Sequence, residues 1–369
     1  MFYIIVSIGS SHASFCFTLD FLTRPGIVPF RFSGLSVIGT IFFLLNLVLF
    51  VLNVALISFR FATRSGSFQS SFLDPAESLF VPASIVSVGT ILLNIAEYGP
   101  TSSSYWLQRA LLVLFWGYAI LAILTCCGFY LILWNTQTFL LSEMMPIWIF
   151  PAYPLLLLAP IADILTGALD NTSAWRMTVG AVCVQGVGFT LSILIYSAFI
   201  HRLMIHQLPA AVVRPGMFVS VGPSGFTAAG IIGIGDNIQR NVPSGLLGSG
   251  EQFGIASAVL LTWTGIFLWG VAIWFFLISV GAHLSLLVPG RRESRRAAFD
   301  MTWYTFVFPN TALVTATLAI GKSLHSRPIE IIGIILAIAL VATWMFVFVS
   351  MVRAVLRKKI LWPRTVETN

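Results

Sequence analysis

Few side chains in this sequence are equipped for chemistry, and most of those sit near proline in apolar surroundings. Ser84, Ser220, Ser224, Thr227, Thr305 and Asn310 offer hydroxyl and amide dipoles, and Arg214 offers a fixed cation at the edge of such a stretch. Their neighbours include Pro82, Pro151, Pro154, Pro223 and Pro309. Dipoles of this kind, helped by backbone groups freed at helix kinks, make a weak anion site that releases what it binds. Catalysis at membrane depth needs a different set: H-E-x-x-H, paired aspartates in neighbouring spans, or a serine with a basic partner. The sequence holds none of these, so an enzyme is not expected. Cys16, Cys126, Cys127 and Cys183 lie among apolar residues without metal-ligand spacing, so neither a metal nor a disulfide framework nor any cofactor is expected. Asp163 and Asp236 end apolar segments where they could take part in proton coupling. Glu97, Glu143, His201 and His206 read as solvated or interfacial ends.

The elements that carry these groups follow from composition. The chain has 369 residues, 58% hydrophobic and 9% charged, against roughly 25% charged in a soluble domain. Crossing a bilayer core of about 30 Å takes roughly 20 apolar helical residues. Nine stretches free of Asp, Glu, Lys and Arg meet that need or nearly so: 35–59, 79–96, 110–134, 144–162, 177–200, 215–235, 253–282, 301–321 and 331–352. A tenth, residues 1–19, is interrupted by Ser10, Ser11, His12 and Ser14 and reads as a weak first helix. The chain thus divides into an atypical N-terminal segment, 1–34, a transmembrane domain, 35–352, and a basic tail, 353–369. The net charge of +7 belongs to residues flanking the spans, beside anionic lipid rather than nucleic acid.

Counting the tenth stretch as the first span, one side of the membrane receives Arg60, Arg64, Arg202, Arg214, Arg291, Arg292, Arg295, Arg296, Arg353, Arg357, Lys358, Lys359 and Arg364, which is 13 of the 20 basic residues. The positive-inside rule makes that side cytoplasmic, C-terminus included. The opposite side receives the sequon Asn171-Thr172-Ser173, a candidate glycosylation site.

Proline sorts the spans into two kinds. Stretches 35–59, 110–134, 177–200, 253–282 and 331–352 contain none, whereas those between them hold Pro82, then Pro146, Pro151, Pro154 and Pro160, then Pro215 and Pro223, then Pro309. A helix-interior proline frees a carbonyl, which in lipid needs protein or a watered cavity as partner, so the proline-bearing helices should face inward. The pattern predicts an all-α integral membrane protein of about ten helices, arranged as five hairpins around a central pore.

Three motifs carry a resemblance: Met145-Pro-Ile-Trp-Ile-Phe-Pro-Ala-Tyr-Pro154; Arg214-Pro-Gly-Met-Phe-Val-Ser-Val-Gly-Pro223 followed by Ser224-Gly-Phe-Thr227; and Trp303-Tyr-Thr-Phe-Val-Phe-Pro-Asn310. With Pro29-Phe-Arg-Phe32, they resemble the tellurite-resistance/dicarboxylate transporter family of slow anion channel-like proteins, and within it the fungal malic acid transport branch. Asn310 after Phe-Pro and the Arg-Pro-Gly-Met-Phe run are similar to that branch. The family's usual first inner helix has no counterpart in Met1 to Val28. The resemblance implies a homotrimer in the plasma membrane with one pore per protomer, plugged by Phe308, passing a C4-dicarboxylate such as malate. No Lys or Arg lies inside any marked span, so no fixed buried cation is expected and a singly charged acid suits the site, which makes proton linkage the expectation. Sulfite efflux is the alternative within the family, and a non-conducting membrane scaffold the alternative outside it.

Overall fold

The computed structural model describes residues 34–98, 105–284 and 299–357; the expected first span lies outside them. Five long helices, α1 (Gly34–Thr63), α3 (Tyr105–Thr136), α5 (Asn171–His206), α7 (Gly250–Leu284) and α9 (Arg327–Leu356), run 30 to 36 residues. At 1.5 Å per residue that is about 45–54 Å, longer than the hydrocarbon core, so they cross with tilt or reach into the headgroups. Between them stand four inner elements: α2 (Pro82–Tyr98), α4, α6 and α8. Among the described residues eight helices are long and apolar enough to cross a membrane, with α2 a shorter ninth.

Three of the inner elements are composite. Each starts as a 3-10 helix and continues as an α-helix: Pro146–Leu157 into Leu158–Thr166 in α4, Arg214–Ser220 into Val221–Asn241 in α6, and Met301–Phe306 into Phe308–Ser323 in α8. Here the structure corrects the expectation of mid-helix kinks. Pro82 opens α2, while Pro223 and Pro309 stand in the first turn of their α-helical portions, where the ring fits without a kink, although the 3-10 turn ahead of each loses one N–H donor. Pro151 and Pro154 lie within the 3-10 part of α4.

Burial separates the two classes as the proline pattern predicted. The most apolar 18-residue window of α6 is 100% buried, and those of α8 and α4 are 89% and 78% buried; the outer helices range from 6% in α1 to 39% in α3. The outer helices expose rows of Leu, Ile, Val, Phe and Trp, among them Val113, Leu124, Trp263, Phe267 and Ile338. That surface suits acyl chains and could not face water. The edges of the chain also meet, since Phe42 of α1 lies edge-on to Trp344 of α9 at 5.3 Å.

Lipid tails are as apolar as leucine, so helices here associate through close packing of small residues rather than by exclusion of water. Two glycines of α6 set the inner spacing. A Cβ on Gly225 would lie 2.7 Å from the Ala312 carbonyl carbon of α8, and one on Gly230 would lie 2.6 Å from the Pro160 nitrogen of α4. Both obstacles are backbone, which does not swing aside. The ends are capped locally: Asp170 accepts from the Ser173 N–H at 3.0 Å to start α5, and that bond holds its carboxyl below the usual range. Asp300 accepts from Thr302 N–H at 2.9 Å to start α8. Asn171, the sequon residue, is exposed as the first residue of α5.

Gly230→Ala should therefore cost about 1–3 kcal/mol through overpacking, seen as a lowered Tm in detergent. Gly186→Ala on lipid-facing α5, where a Cβ meets nothing within 4 Å, should be neutral or stabilise by up to about 1 kcal/mol.

Candidate transport site

Rings from the inner elements converge at the level where 3-10 helix gives way to α-helix. Phe308, the first residue of the α-helical part of α8, is 4% exposed. Its ring centroid lies 5.1 Å from that of Tyr153 in α4 and 5.6 Å from that of Phe226 in α6. The cluster continues from Tyr153 to Phe150 at 5.2 Å, and from Phe150 to Phe80, just ahead of α2, at 5.2 Å. All are tilted contacts of the kind aromatic quadrupoles favour. Four inner elements thus contribute to one buried aromatic centre.

Near these rings lie carbonyls that proline leaves without a helical N–H, and three of them have a side-chain donor. Pro223 leaves the carbonyl of Val219, four residues back, which accepts from the Tyr153 hydroxyl. In the 3-10 part of α4, Pro151 leaves the carbonyl of Trp148, three back, which accepts from Tyr130 of α3 at 3.1 Å. Pro309 leaves the carbonyl of Phe306, which accepts from Asn310 Nδ2 at 2.9 Å. Two further tyrosines reach in from outer helices, Tyr118 to the Pro154 carbonyl at 2.9 Å and Tyr196 to the Ser220 carbonyl at 2.7 Å. The backbone groups freed here are acceptors, already bonded, so they do not supply the anion attraction that the sequence suggested.

The sequence-expected polar residues fall into two groups. Most are committed within the protein: Ser84 donates to the Val81 carbonyl at 2.7 Å, Ser220 to Met217 at 2.7 Å, and Thr305 to Pro215 at 2.6 Å, tying α8 to α6. Thr227 donates to Pro223 at 2.7 Å and accepts from Gln185 of α5 at 2.9 Å, whose own Oε1 accepts the Ala159 N–H at 3.1 Å. Two keep unused capacity. Ser224 Oγ, on a fully buried residue beside Tyr196, and Asn310 Oδ1 are buried without a hydrogen-bond partner.

Arg214 is corrected. It was expected at an open mouth, but it is 3% exposed, its Nε and Nη2 donating to the Pro209 carbonyl at 3.0 and 2.8 Å and its Nη1 to the Ala282 carbonyl at 3.2 Å. Ala282 is in the last turn of α7, so the guanidinium also balances the negative end of that helix. A buried cation exists after all, occupied by carbonyls. Arg202 is its counterpart on α5, 7% exposed and donating to the Ser142 and Gln207 carbonyls at 3.1 and 2.6 Å. Sequence reasoning missed Tyr118, Tyr130, Tyr153, Tyr196 and Gln185. Their signal is a large side chain with a polar tip on a largely apolar span, two on α3 and two on α5.

Tyr153→Phe removes only the hydroxyl from this arrangement. It should lower stability by about 1 kcal/mol, whereas Tyr153→Ala, which also opens a cavity beside Phe308, should cost about 3–5 kcal/mol. Thermal unfolding in one detergent ranks the two.

Comparison with known proteins extends the reading. The sequence model of the voltage-dependent anion channel (SLAC1) family matches residues 1–352, beginning well ahead of the Pro29 where the motif resemblance starts. The malic acid transport protein of Schizosaccharomyces pombe is 27% identical over 340 residues, covering 92% of this chain and 76% of that protein. A putative malic acid transport protein of the same yeast is 25% identical over 334 residues, covering 90% and 76%. A sulfite efflux pump of Arthroderma otae is 24% identical over 329 residues, covering 87% and 83%. With the match running along nearly the whole chain and through every inner element described above, the protein belongs to the voltage-dependent anion channel (SLAC1) family of membrane transport proteins.

Proposed function

We propose that this chain carries a C4-dicarboxylate, malate, across the plasma membrane as a homotrimer with its C-terminus in the cytoplasm. The route runs between the inner helices and Phe308 closes it. The observation that carries this reading is the position of Phe308, packed between Tyr153 and Phe226 at the first turn of α8 and followed by Pro309 and Asn310. The malic acid transport relatives supply the substrate class.

A rigid apolar ring in a narrow passage blocks it and keeps it dry. Two residues before Phe226 and two after Phe308, Ser224 Oγ and Asn310 Oδ1 are buried without a hydrogen-bond partner, a donor and an acceptor still unspent. A singly charged diacid suits such groups, because its carboxylate accepts and its remaining acid proton or hydroxyl donates. Moving a dianion out of water costs far more than moving a monoanion, and among the described residues the buried arginines, Arg202 and Arg214, are already bonded to carbonyls. Transport should therefore follow the supply of the half-protonated acid.

Malate uptake into liposomes reconstituted with the full chain is expected to rise as external pH falls toward the acid's own pKa values; equal uptake at acidic and neutral pH removes the proton linkage. Sulfite passage without malate passage selects the alternative that the 24% identical efflux pump suggests. No passage of either anion leaves a scaffold. Phe308→Ala is expected to raise leak current through the same membranes by about tenfold or more, and an unaltered current means that Phe308 is only a packed ring.

A further inference from the structure

The C-terminal ends of three inner helices bring together charges that the aromatic centre does not use. Asp236 of α6 and Lys322 of α8 occupy matching positions, each thirteen residues after the first-turn proline of its helix, Pro223 and Pro309. Their charged atoms lie 3.9 Å apart, a loose pair with both side chains about 40% exposed. Asp163 comes from α4. Its carboxylate occupies the space a side chain on Gly233 of α6 would take, so it presses directly on the α6 backbone one turn before Asp236. The charged and titratable groups that act on Asp236 are Lys322, Asp163 and His325, which follows α8 in a left-handed turn. Arg240, one turn further along α6, instead donates to Asn237 at 2.8 Å. This face of the inner bundle is the one reached by Asp170 and Asn171, the face that the basic-residue count puts outside.

Among the described residues two carboxylates face one ammonium here, Glu330 of α9 adds a third carboxylate where it packs against Gly321, and the ends of three helices add partial negative charge. An anion arriving here is repelled, and the one cation of the cluster is already taken by Asp236. We propose that Lys322, with His325 beside it, is a docking site for a small carboxylate at the mouth of the pathway, and that Asp236 is a built-in competitor which a proton displaces. A proton taken up by Asp236 neutralises its carboxylate, Lys322 keeps its charge, and the ligand's carboxylate takes the vacated place. Asp163 tunes the exchange, since its like charge favours protonation of Asp236. This inference rests on the proposed carriage of a small carboxylic acid and names where protons would act on it.

Two measurements on the purified full chain separate docking from carriage: the thermal shift given by malate in detergent, and malate uptake in liposomes, each at acidic and neutral pH. Malate should stabilise the wild type more at acidic pH. Asp236→Asn should lower the apparent KM at neutral pH by about threefold, the scale of an exposed ion pair, and flatten its pH dependence. Lys322→Gln should raise KM at both pH values, with Lys322→Arg restoring it. Asp163→Asn, which leaves the competitor in place but easier to ionise, should move the pH midpoint downward, a shift that loss of packing does not produce. A wild-type pH profile in both aspartate variants, or an unchanged KM in Lys322→Gln, overturns the proposal. A pH-dependent thermal shift without uptake sustains docking and sinks carriage; no shift at either pH overturns docking itself.

Discussion

The constraint on which the rest depends is that a carbonyl freed by proline inside a bilayer must be answered by the protein. Water is absent from the surrounding lipid, and a carbonyl left unpaired inside the protein there costs about 1–3 kcal/mol. Tyr153, Tyr130 and Asn310 answer the three carbonyls left by Pro223, Pro151 and Pro309. Those bonds let 3-10 segments persist at the start of the inner helices, and the 3-10 segments in turn bring backbone and rings together in the middle. Prolines that would destroy a lone helix in lipid become junctions because neighbouring helices supply the donors.

This also explains why the outer helices are not merely a sleeve. Each of α3 and α5 reads as lipid-facing hydrocarbon, yet Tyr118, Tyr130, Tyr196 and Gln185 reach inward to backbone groups of α4 and α6. Trp269 of α7 does the same to the Thr317 hydroxyl at 2.9 Å. The inner bundle thus gains part of its directional contacts from outside. The outer helices meanwhile gain a fixed rotation, since a helix with one bonded inward tyrosine cannot turn freely about its axis.

The division into inner and outer helices was legible in the sequence because it rests on proline, whose effect on a helix is local and strong. Phe308 was singled out only through its motif, because a phenylalanine among 31 carries no periodicity that distinguishes a plug from packing; the structure shows it buried between Tyr153 and Phe226. Arg214 was misread for a physical reason. Sequence gives its charge and its place at a helix edge, but not that the last turn of α7 and the Pro209 carbonyl close around it. Ser220 and Thr305 looked available for a ligand because hydroxyls at membrane depth are conspicuous, whereas their nearest acceptors are backbone carbonyls that the sequence does not place. Proline periodicity fixes which helices turn inward; it says nothing of how many of their hydroxyls remain unspent.

The same bonds restrict how the proposed pathway could open. Thr305 joins α8 to the Pro215 carbonyl of α6, Asn310 stitches the first turn of α8 to Phe306, and a Cβ-free Gly225 lies against the Ala312 backbone. Sliding α8 would break the first and open a gap at the third, and straightening its start would break the second, with no water at hand to repair either carbonyl. Rotation of the Phe308 side chain disturbs none of them. It requires only that Tyr153 or Phe226 yield space, and Tyr153 is itself held by its bond to Val219. In the proposed function, an opening that keeps the carbonyls of Val219, Trp148 and Phe306 paired is therefore a change of ring orientation in a fixed backbone rather than a movement of helices.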